Sequence, residues 1–199
     1  QFAAFRVPKS KIDLPKGISG LVVVPELREV RVQVSFSRFD SVGANLQGEY
    51  DFEGRQVKPA VLTNPTGNEK WLPAAEVRGE GIFVEFDAAA VTEWEQRPVV
   101  QQRAEQLLRA FETDKKGDFP GIRFYMLHSV AHLLLTAISL ECGYAASAIR
   151  ERIYCGVAET DGPNMAGIML TTGTTGSEGT LGGLVEEGRR IRQHLREAW

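Results

Sequence analysis

The sequence predicts an α+β fold, and three features of the chain lead to that prediction. The segment "REVRVQVSF" near residue 30 alternates polar and apolar residues, as a strand with one buried face does. Apolar residues recur at helical spacing along much of the second half. A glycine-dense stretch, residues 169–191, joins an apolar run to an amphipathic one. We therefore expect a β-rich subdomain over residues 1–97 and a mixed helix and strand domain over residues 98–199, with a central buried helix and a strand–glycine loop–helix unit.

The first half is expected to hold several strands and one short helix. In the alternating segment, Val30, Val32, Val34 and Phe36 fall on one face, which we expect to be buried. "KPAVLT" and "GEGIFVEF" are typical of further strands, and loops rich in Asn, Gly and Pro separate them. Asp87 precedes "AAAVTEWEQ" and suits the N-cap of a short helix.

Prolines and glycines mark the predicted helix ends in the second half. Pro98 suits the first position of a helix that "DKKGDFPG" ends. Pro120 is expected to begin the next helix, and Gly143 to end it. We expect "AASAIRER" to form a short helix before a strand, "IYCGV", and "AGIMLTT" to form another strand. A last helix is predicted from an apolar stripe made of Leu181, Leu184, Val185, Gly188, Ile191 and Leu195.

Composition and charge restrict what the protein can do. The chain has 199 residues, of which 43% are hydrophobic, and its net charge of −3 gives no global attraction to nucleic acid. Cys142 and Cys155 cannot form a zinc site alone and are expected to be reduced and buried, as in a cytosolic protein. The charge-free run 124–140 is too short and too polar for a membrane span, so we expect a buried core helix. The chain begins without methionine, and we expect it to be a piece of a longer protein.

The glycine loop lies between a predicted strand and a predicted helix, where α/β proteins often hold ligands. A helix N-terminus also offers free N–H groups to anions. The glycine spacing matches neither a dinucleotide-binding nor a P-loop pattern, and no lysine follows Lys116. Close packing of helix on strand, contact with a phosphate or a backbone, and catalysis all remain open for this loop. Its candidate binding residues are Gly176, Ser177, Glu178, Gly179, Thr180, Gly182 and Gly183.

Two histidines lie one turn apart on the predicted central helix. His128 and His132 therefore share a face, which is one way to begin a metal site. The residues between them do not form the H-E-x-x-H pattern, and we expect two hydrogen-bonded core histidines with no metal ion. Glu141, Cys142 and Asp161 are conceivable third ligands.

Arginines are concentrated near the end of the chain, in "RRIRQHLR". Arg189, Arg192 and Arg196 fall roughly on one stripe of a helix, and such a stripe can contact phosphates. The alternative is a solvated face that complements the helix dipole. Arg150 and Arg152 add positive charge, and the sequence leaves open whether the two patches join.

The chain shows no complete catalytic set. Arg78 and Glu80 flank a glycine at a strand entrance, where local pairing and a turn account for them. Cys155 follows Tyr154 in a predicted buried strand, where a thiol is normally inert.

Three segments resemble a family of helicase-associated proteins: "WLPAAEVRGEGIFVEF", "YMLHSVAHLLLTAISLECGYAASAIRERIY" and "GIMLTTGTTGSEGTLGGL". They resemble the helicase-associated domain also called the MrfA zinc-binding (MZB) domain, and within it the members from the DISARM anti-phage defence system. The resemblance covers residues 71–199 well, including 178–183 in the glycine loop and His128 and His132 on the central helix, and it covers the strand at residues 29–39 more loosely. It implies a bacterial cytoplasmic protein that acts beside a superfamily 2 helicase (DrmA-like) and engages DNA. The family's zinc belongs to four cysteines downstream of the glycine loop, so the resemblance implies zinc only for a longer chain.

The sequence and the resemblance together predict a non-enzymatic accessory module that binds a helicase and helps to hold DNA, with no cofactor in this chain and no membrane partner. One alternative is a hydrolase or nuclease-like enzyme that uses the histidine pair and the glycine loop. The other is a structural scaffold without nucleic-acid contact.

Overall fold

The chain forms a five-stranded antiparallel sheet with helices packed against it, which confirms the predicted α+β class. The computed structural model describes residues 2–33, 35–36, 60–61, 72–114, 119–143, 145, 148–156, 164–173 and 183–197. In spatial order, the strands of the sheet are β1 (Ala3–Arg6), β2 (Ile18–Val32), β5 (Ala74–Phe86), β7 (Gly167–Thr172) and β6 (Ile149–Tyr154). A separate ribbon pairs β3 (Ser35–Phe36) with β4 (Ala60–Val61). The α-helices are α1 (Ala88–Glu95), α2 (Pro98–Asp114), α3 (Gly121–Cys142), α4 (Gly183–Arg189) and α5 (Ile191–Glu197).

Local signals at the helix ends act as the sequence predicted. The Asp87 carboxylate accepts hydrogen bonds from the N–H groups of Ala89 and Ala90, and so caps α1. Pro98 is the first residue of α2, where its missing N–H has no helical partner to lose. Gly143 ends α3 with φ 68°, a left-handed conformation that glycine adopts without strain.

The prediction located the strand β2 at the right residues but assigned the wrong face of its second half to the core. Val30 and Val32 were predicted to be buried, yet they are 60% and 47% exposed. A register shift in the pairing with β5 falls between Val24 and Leu27, around Pro25, which cannot donate to the ladder. Beyond it the half-buried face of β2 carries Leu27, Glu29 and Arg31, so Val30 and Val32 lie on the exposed face. The side chains of Val34 and Phe36 lie outside the described residues.

The strand β6 replaces part of a predicted helix. "AASAIRER" was expected to be helical, but Ile149–Tyr154 is a strand paired with β7 from Ile149↔Thr172 to Tyr154↔Gly167. The period-two pattern explains the error: Ile149 and Ile153 face the core cluster, while Arg150 and Arg152 are exposed. Pairing with a neighbouring strand outweighs a local helical preference here.

The core lies between the sheet and α3, as expected for a central buried helix. Five α3 side chains are fully buried: Phe124, Leu127, Ala131, Leu134 and Ile138. Four of them, Leu127, Ala131, Leu134 and Ile138, pack in one cluster with sheet residues such as Leu21, Ile82, Val84, Ile168 and Leu170. By length and composition alone α3 could cross a membrane, but half of its most apolar window is buried inside the protein, which is typical of a core helix.

The final helices sit close to the sheet because of one glycine. A Cβ on Gly188 would lie 2.5 Å from Cγ2 of Ile82, a fully buried strand residue, so only glycine permits this approach of α4 to β5. The predicted apolar stripe holds at Leu184, Ile191 and Leu195, which are all buried, although the helix breaks at Arg190. Leu181 lies outside the described residues.

Candidate nucleic-acid interface

The interface is positioned by a buried carboxylate that holds the start of α4. Glu80 on β5 is fully buried, and its Oε1 accepts a hydrogen bond of 2.9 Å from the N–H of Leu184. Its Oε2 accepts a second bond, of 3.3 Å, from the N–H of Val185. A strand side chain therefore takes the place that an external anion could fill at this helix end. Only a local role was predicted for Glu80, because its function as a cap depends on a contact with Leu184, 104 residues further along the chain.

Replacing this carboxylate is expected to loosen the whole α4–α5 unit. Glu80→Gln should lower the free energy of unfolding by about 2 kcal/mol, because a hydrogen bond to a charged group contributes about 1.5–3 kcal/mol. Denaturant unfolding followed by circular dichroism measures the change. Glu76→Gln on the same strand is the control, because Glu76 is exposed. Equal stability losses in the two variants would show that the buried cap contributes no more to the free energy of unfolding than an exposed carboxylate does.

A buried histidine fixes α5 relative to α4. His194 is fully buried, and its Nε2 lies 2.7 Å from Oε2 of Glu187, which is also buried. Arg190 approaches Glu187 as well, at 3.2 Å. These side-chain contacts join the two short helices and hold α5, with its arginines, in position relative to α4.

The three predicted arginines lie together on one surface. Arg189, Arg192 and Arg196 all line a depression of about 420 Å³ that they share with Lys11 and Asp13. Arg192 forms an ion pair with Asp13, whose carboxylate is 76% exposed. Arg189 pairs with Glu186 at 3.1 Å on its own helix. Asp13 and Glu186 therefore offset part of the positive charge of this surface.

A larger cleft of about 850 Å³ adjoins this depression and shares Arg192 and Arg196 with it. Its floor is apolar and includes Ile18, Phe86, Val91, Met126, Val130 and Leu195. Trp94, from α1, forms part of its wall. Four basic residues line the cleft: Lys16, Arg97, Arg192 and Arg196. Cations around a partly exposed indole are the combination that holds single-stranded nucleic acid, because phosphates bind the cations and a base stacks on the ring.

Other predicted residues lie apart from the cleft or outside the described chain. Arg150 and Arg152 on β6 line neither of these two depressions. Gly183 begins α4. The rest of the candidate loop lies outside the described residues, namely Gly176, Ser177, Glu178, Gly179, Thr180 and Gly182.

Sequence reasoning missed Lys16, Trp94 and Arg97, which come from two separate segments. Each lies in a stretch with no motif, and only the folding of α1 and the segment before β2 against α5 brings them together. A weak signal existed in Trp94 and Arg97, because an aromatic and a cation stand three residues apart near a helix end.

Two exposed ion pairs shift pKa values on the sheet, away from the cleft. A hydrogen bond from Arg78 lowers the pKa of the Glu76 carboxyl, and the charge of Arg28 adds to this. A hydrogen bond to Glu85 raises the pKa of the Arg6 guanidinium. A lowered carboxyl pKa stabilises the fold above the unfolded-state pKa, and this contribution is lost as pH falls through the folded-state pKa. Because both pairs are solvent-exposed, screening keeps their effect on stability small.

The fold and the cleft define a class of protein: an α+β module with a cleft lined by apolar side chains, a tryptophan and four basic residues. The chain is similar to the DISARM protein DrmB of Bacillus paralicheniformis, with 41% identity over 175 residues. The aligned part covers 84% of this chain and 29% of the relative, so the chain spans less than a third of that protein's length. The resemblance to DISARM proteins seen in the sequence is confirmed. No family model matches the chain, and the MZB relationship stays a prediction.

The residues present do not fit the four-cysteine zinc cluster implied by the MZB resemblance. The chain has two cysteines, and four thiolates are needed. Cys155 follows the end of β6, and the side chain of Cys142 lies outside the described residues. The zinc of that family therefore has no site built from this chain alone.

Proposed function

We propose that this chain is part of a bacterial cytoplasmic anti-phage defence component that holds DNA beside a superfamily 2 helicase. One observation carries the DNA part: the cleft that combines Trp94 with Lys16, Arg97, Arg192 and Arg196. The relationship to a DISARM protein supports the defence role. The overall charge of −3 means that the attraction must come from this local surface.

The cleft suits single-stranded DNA better than duplex DNA. Its apolar floor and the partly exposed indole can receive an unstacked base, which a duplex does not present. The cations would then bind the phosphates on either side of that base. Asp13 competes with phosphate for Arg192, so DNA would have to displace this exposed carboxylate.

Removing two cations of the cleft should weaken DNA binding and its salt dependence. Arg97→Gln with Arg196→Gln is expected to reduce affinity for a short single strand by about tenfold or more at low salt. The slope of log K against log salt should fall in magnitude by about 1.4, or about 0.7 for each lost phosphate contact. Fluorescence anisotropy of a labelled oligonucleotide, titrated at several salt concentrations, measures both quantities.

A control variant shows whether the loss of DNA affinity comes from the cleft itself or only from the change in net charge. Arg103→Gln with Arg152→Gln makes the same change in net charge, but neither residue lines the cleft or the depression beside it.

Trp94→Leu should weaken single-strand binding more than duplex binding, because it removes the stacking surface. Asp13→Asn should strengthen binding by freeing Arg192. If the control pair loses as much affinity as the cleft pair, or if binding is absent, the chain is a scaffold without a DNA site here.

The helicase part of the proposal rests on the family relationship, and it has its own test. Co-expression of the protein with the superfamily 2 helicase of the same defence system should give a complex that co-elutes in size-exclusion chromatography. Separate elution of the two proteins at low and at moderate salt would count against it, whatever the DNA result.

A further inference from the structure

A cluster of two histidines and one glutamate lies between α3 and β6, and it is built from residues that the DNA cleft does not use. His128 and His132 are one turn apart on α3, and Glu151 projects from β6. One ligand atom from each of the three residues lies within 4.8 Å of the others. The sequence left Glu141, Cys142 and Asp161 open as conceivable third ligands, of which Asp161 and the side chain of Cys142 lie outside the described residues. Glu141 instead approaches Arg190 at 3.6 Å, and Glu151 takes the place beside the histidines.

Glu151 stands where the strand pattern calls for an apolar residue. It shares its face of β6 with Ile149 and Ile153, which pack against the core, and its side chain is only 19% exposed. A carboxylate in such a place needs a partner, because an unpaired buried charge is costly. The neighbouring exposed residues, Arg150 and Arg152, project from the opposite face of the strand.

Two atoms of the cluster are buried without a hydrogen-bond partner among the described residues: Nδ1 of His128 and Oε2 of Glu151. Nδ1 of His128 lies 2.7 Å from Oε1 of Glu151, but the direction between them is not that of a hydrogen bond. Nε2 of His132 lies 3.4 Å from the same oxygen. Histidine nitrogens and a carboxylate thus lie close together, and yet Nδ1 of His128 and Oε2 of Glu151 form no hydrogen bond among the described residues.

The ring positions are fixed by packing. His128 stacks on the buried ring of Phe124, with centroids 5.5 Å apart and planes at 14°. Its ring is nearly perpendicular to that of His132, at 86° and 4.5 Å. His132 is 62% exposed, so the cluster opens to solvent on that side.

The distances suit a tetrahedral transition-metal ion after a small adjustment. Zinc–nitrogen and zinc–oxygen bonds of about 2.1 Å put tetrahedral ligand atoms about 3.4 Å apart. The contact between His132 and Glu151 already has that length, at 3.4 Å. The contact between His128 and Glu151 would have to open from 2.7 Å by about 0.7 Å. Rotation of the glutamate side chain is enough for this, because its second oxygen is unpaired among the described residues.

We propose that His128, His132 and Glu151 bind a divalent transition-metal ion of the zinc type, which links α3 to the edge strand β6. Two imidazoles and one carboxylate form a ligand set that such ions prefer over Mg²⁺, which takes oxygen ligands. The ion would have three protein ligands and a remaining position that faces solvent beside His132. The proposal does not depend on DNA binding.

Zinc titration of the untagged, metal-stripped protein tests the site. Calorimetry should show one Zn²⁺ per chain, and thermal unfolding should shift to higher temperature with Zn²⁺ but not with Mg²⁺. Co²⁺ should give a visible absorption band, as expected for low-coordinate cobalt with nitrogen ligands. The chain has three histidines, and the third, His194, is fully buried and hydrogen-bonded to Glu187, so it does not compete.

Matched variants assign the ligands. His132→Ala and Glu151→Gln should each weaken Zn²⁺ binding at least about a hundredfold, because loss of a residue that only orients a ligand already costs 10–100-fold. His132→Ala is safe for folding, since the side chain is exposed and alanine favours helix. Glu141→Gln, also on α3, should bind Zn²⁺ like the parent. If the parent binds no Zn²⁺ in a one-to-one ratio, or if Glu151→Gln binds it as well as the parent, the proposal is wrong and the cluster is a histidine–carboxylate contact only.

Discussion

Arg123→Met is expected to lower the free energy of unfolding by about 3–5 kcal/mol, which is the usual cost of removing one partner from a buried ion pair. Arg123 is 4% exposed and donates from Nε and Nη2 to the two carboxylate oxygens of Glu95, at 2.9 and 2.7 Å. Its Nη1 also donates to the carbonyl oxygens of Gly156 and Met165. Methionine fills a similar volume but has no N–H groups to donate, so the Glu95 carboxylate loses both hydrogen bonds from this side chain.

This arginine holds three parts of the fold together. It lies on α3, its carboxylate partner ends α1, and the two carbonyls belong to the chain on either side of residues 157–163. Denaturant unfolding of Arg123→Met measures the loss, with Arg103→Met on the exposed side of α2 as the control. Adding Glu95→Gln to Arg123→Met should cost less than the sum of the single changes, because the carboxylate is then no longer left charged and unpaired. Additive losses, or an Arg123→Met protein as stable as the control, would contradict the network.

Gly79→Ala is expected to destabilise the protein by about 3 kcal/mol or more, at or above the upper end for overpacking a core. A Cβ at Gly79 would overlap the carbonyl oxygen of Thr172 and lie 2.7 Å from its carbonyl carbon. Both atoms belong to the backbone at the end of β7, so relief requires the two strands to move apart. The adjacent Glu80 would move with Gly79, and the cap of α4 would be disturbed as well.

A second glycine provides the matched control. Gly20 on β2 is also buried, but a Cβ there would meet the ends of the Glu85 and Arg6 side chains. These form an exposed ion pair that can rearrange, so Gly20→Ala should cost far less. Thermal unfolding of the two alanine variants compares them directly. Similar melting temperatures for both would mean that the contact with Thr172 is not the limiting one.

Signals that act within a few residues were readable in the sequence. The cap at Asp87, the start of α2 at Pro98 and the end of α3 at Gly143 all depend on one residue and its nearest neighbours. The apolar run of α3 also sufficed to predict a core helix, because nearly all of its faces are apolar or small. These predictions needed no knowledge of what the elements pack against.

Signals that depend on a partner strand were misread. β6 was predicted as a helix at its start, since its pattern of isoleucine and charge has meaning only once β7 pairs with it. The alternation at Val30 and Val32 was taken for a buried face, but the half-buried face of this part of β2 is the one that carries Leu27, Glu29 and Arg31. In both cases the alternating pattern was present in the sequence, but which face is buried depends on the elements that pack against the strand, and the sequence does not show these.

The fold class, the helix ends, the core helix and the similarity to DISARM proteins could all be predicted from the order of the amino acids. Three features became visible only in the folded chain: Glu80 caps α4, Trp94 and Arg97 line a cleft together with the α5 arginines, and Glu151 lies beside the two histidines. The two groups of features differ in how far apart along the chain the interacting residues lie. Caps and helical periodicity are set by neighbours within about four residues, which the chain order displays. The role of a charged or aromatic side chain depends on the groups that folding brings within a few ångströms of it. These groups come from distant segments of the chain, and no motif in the sequence indicates that they will be in contact.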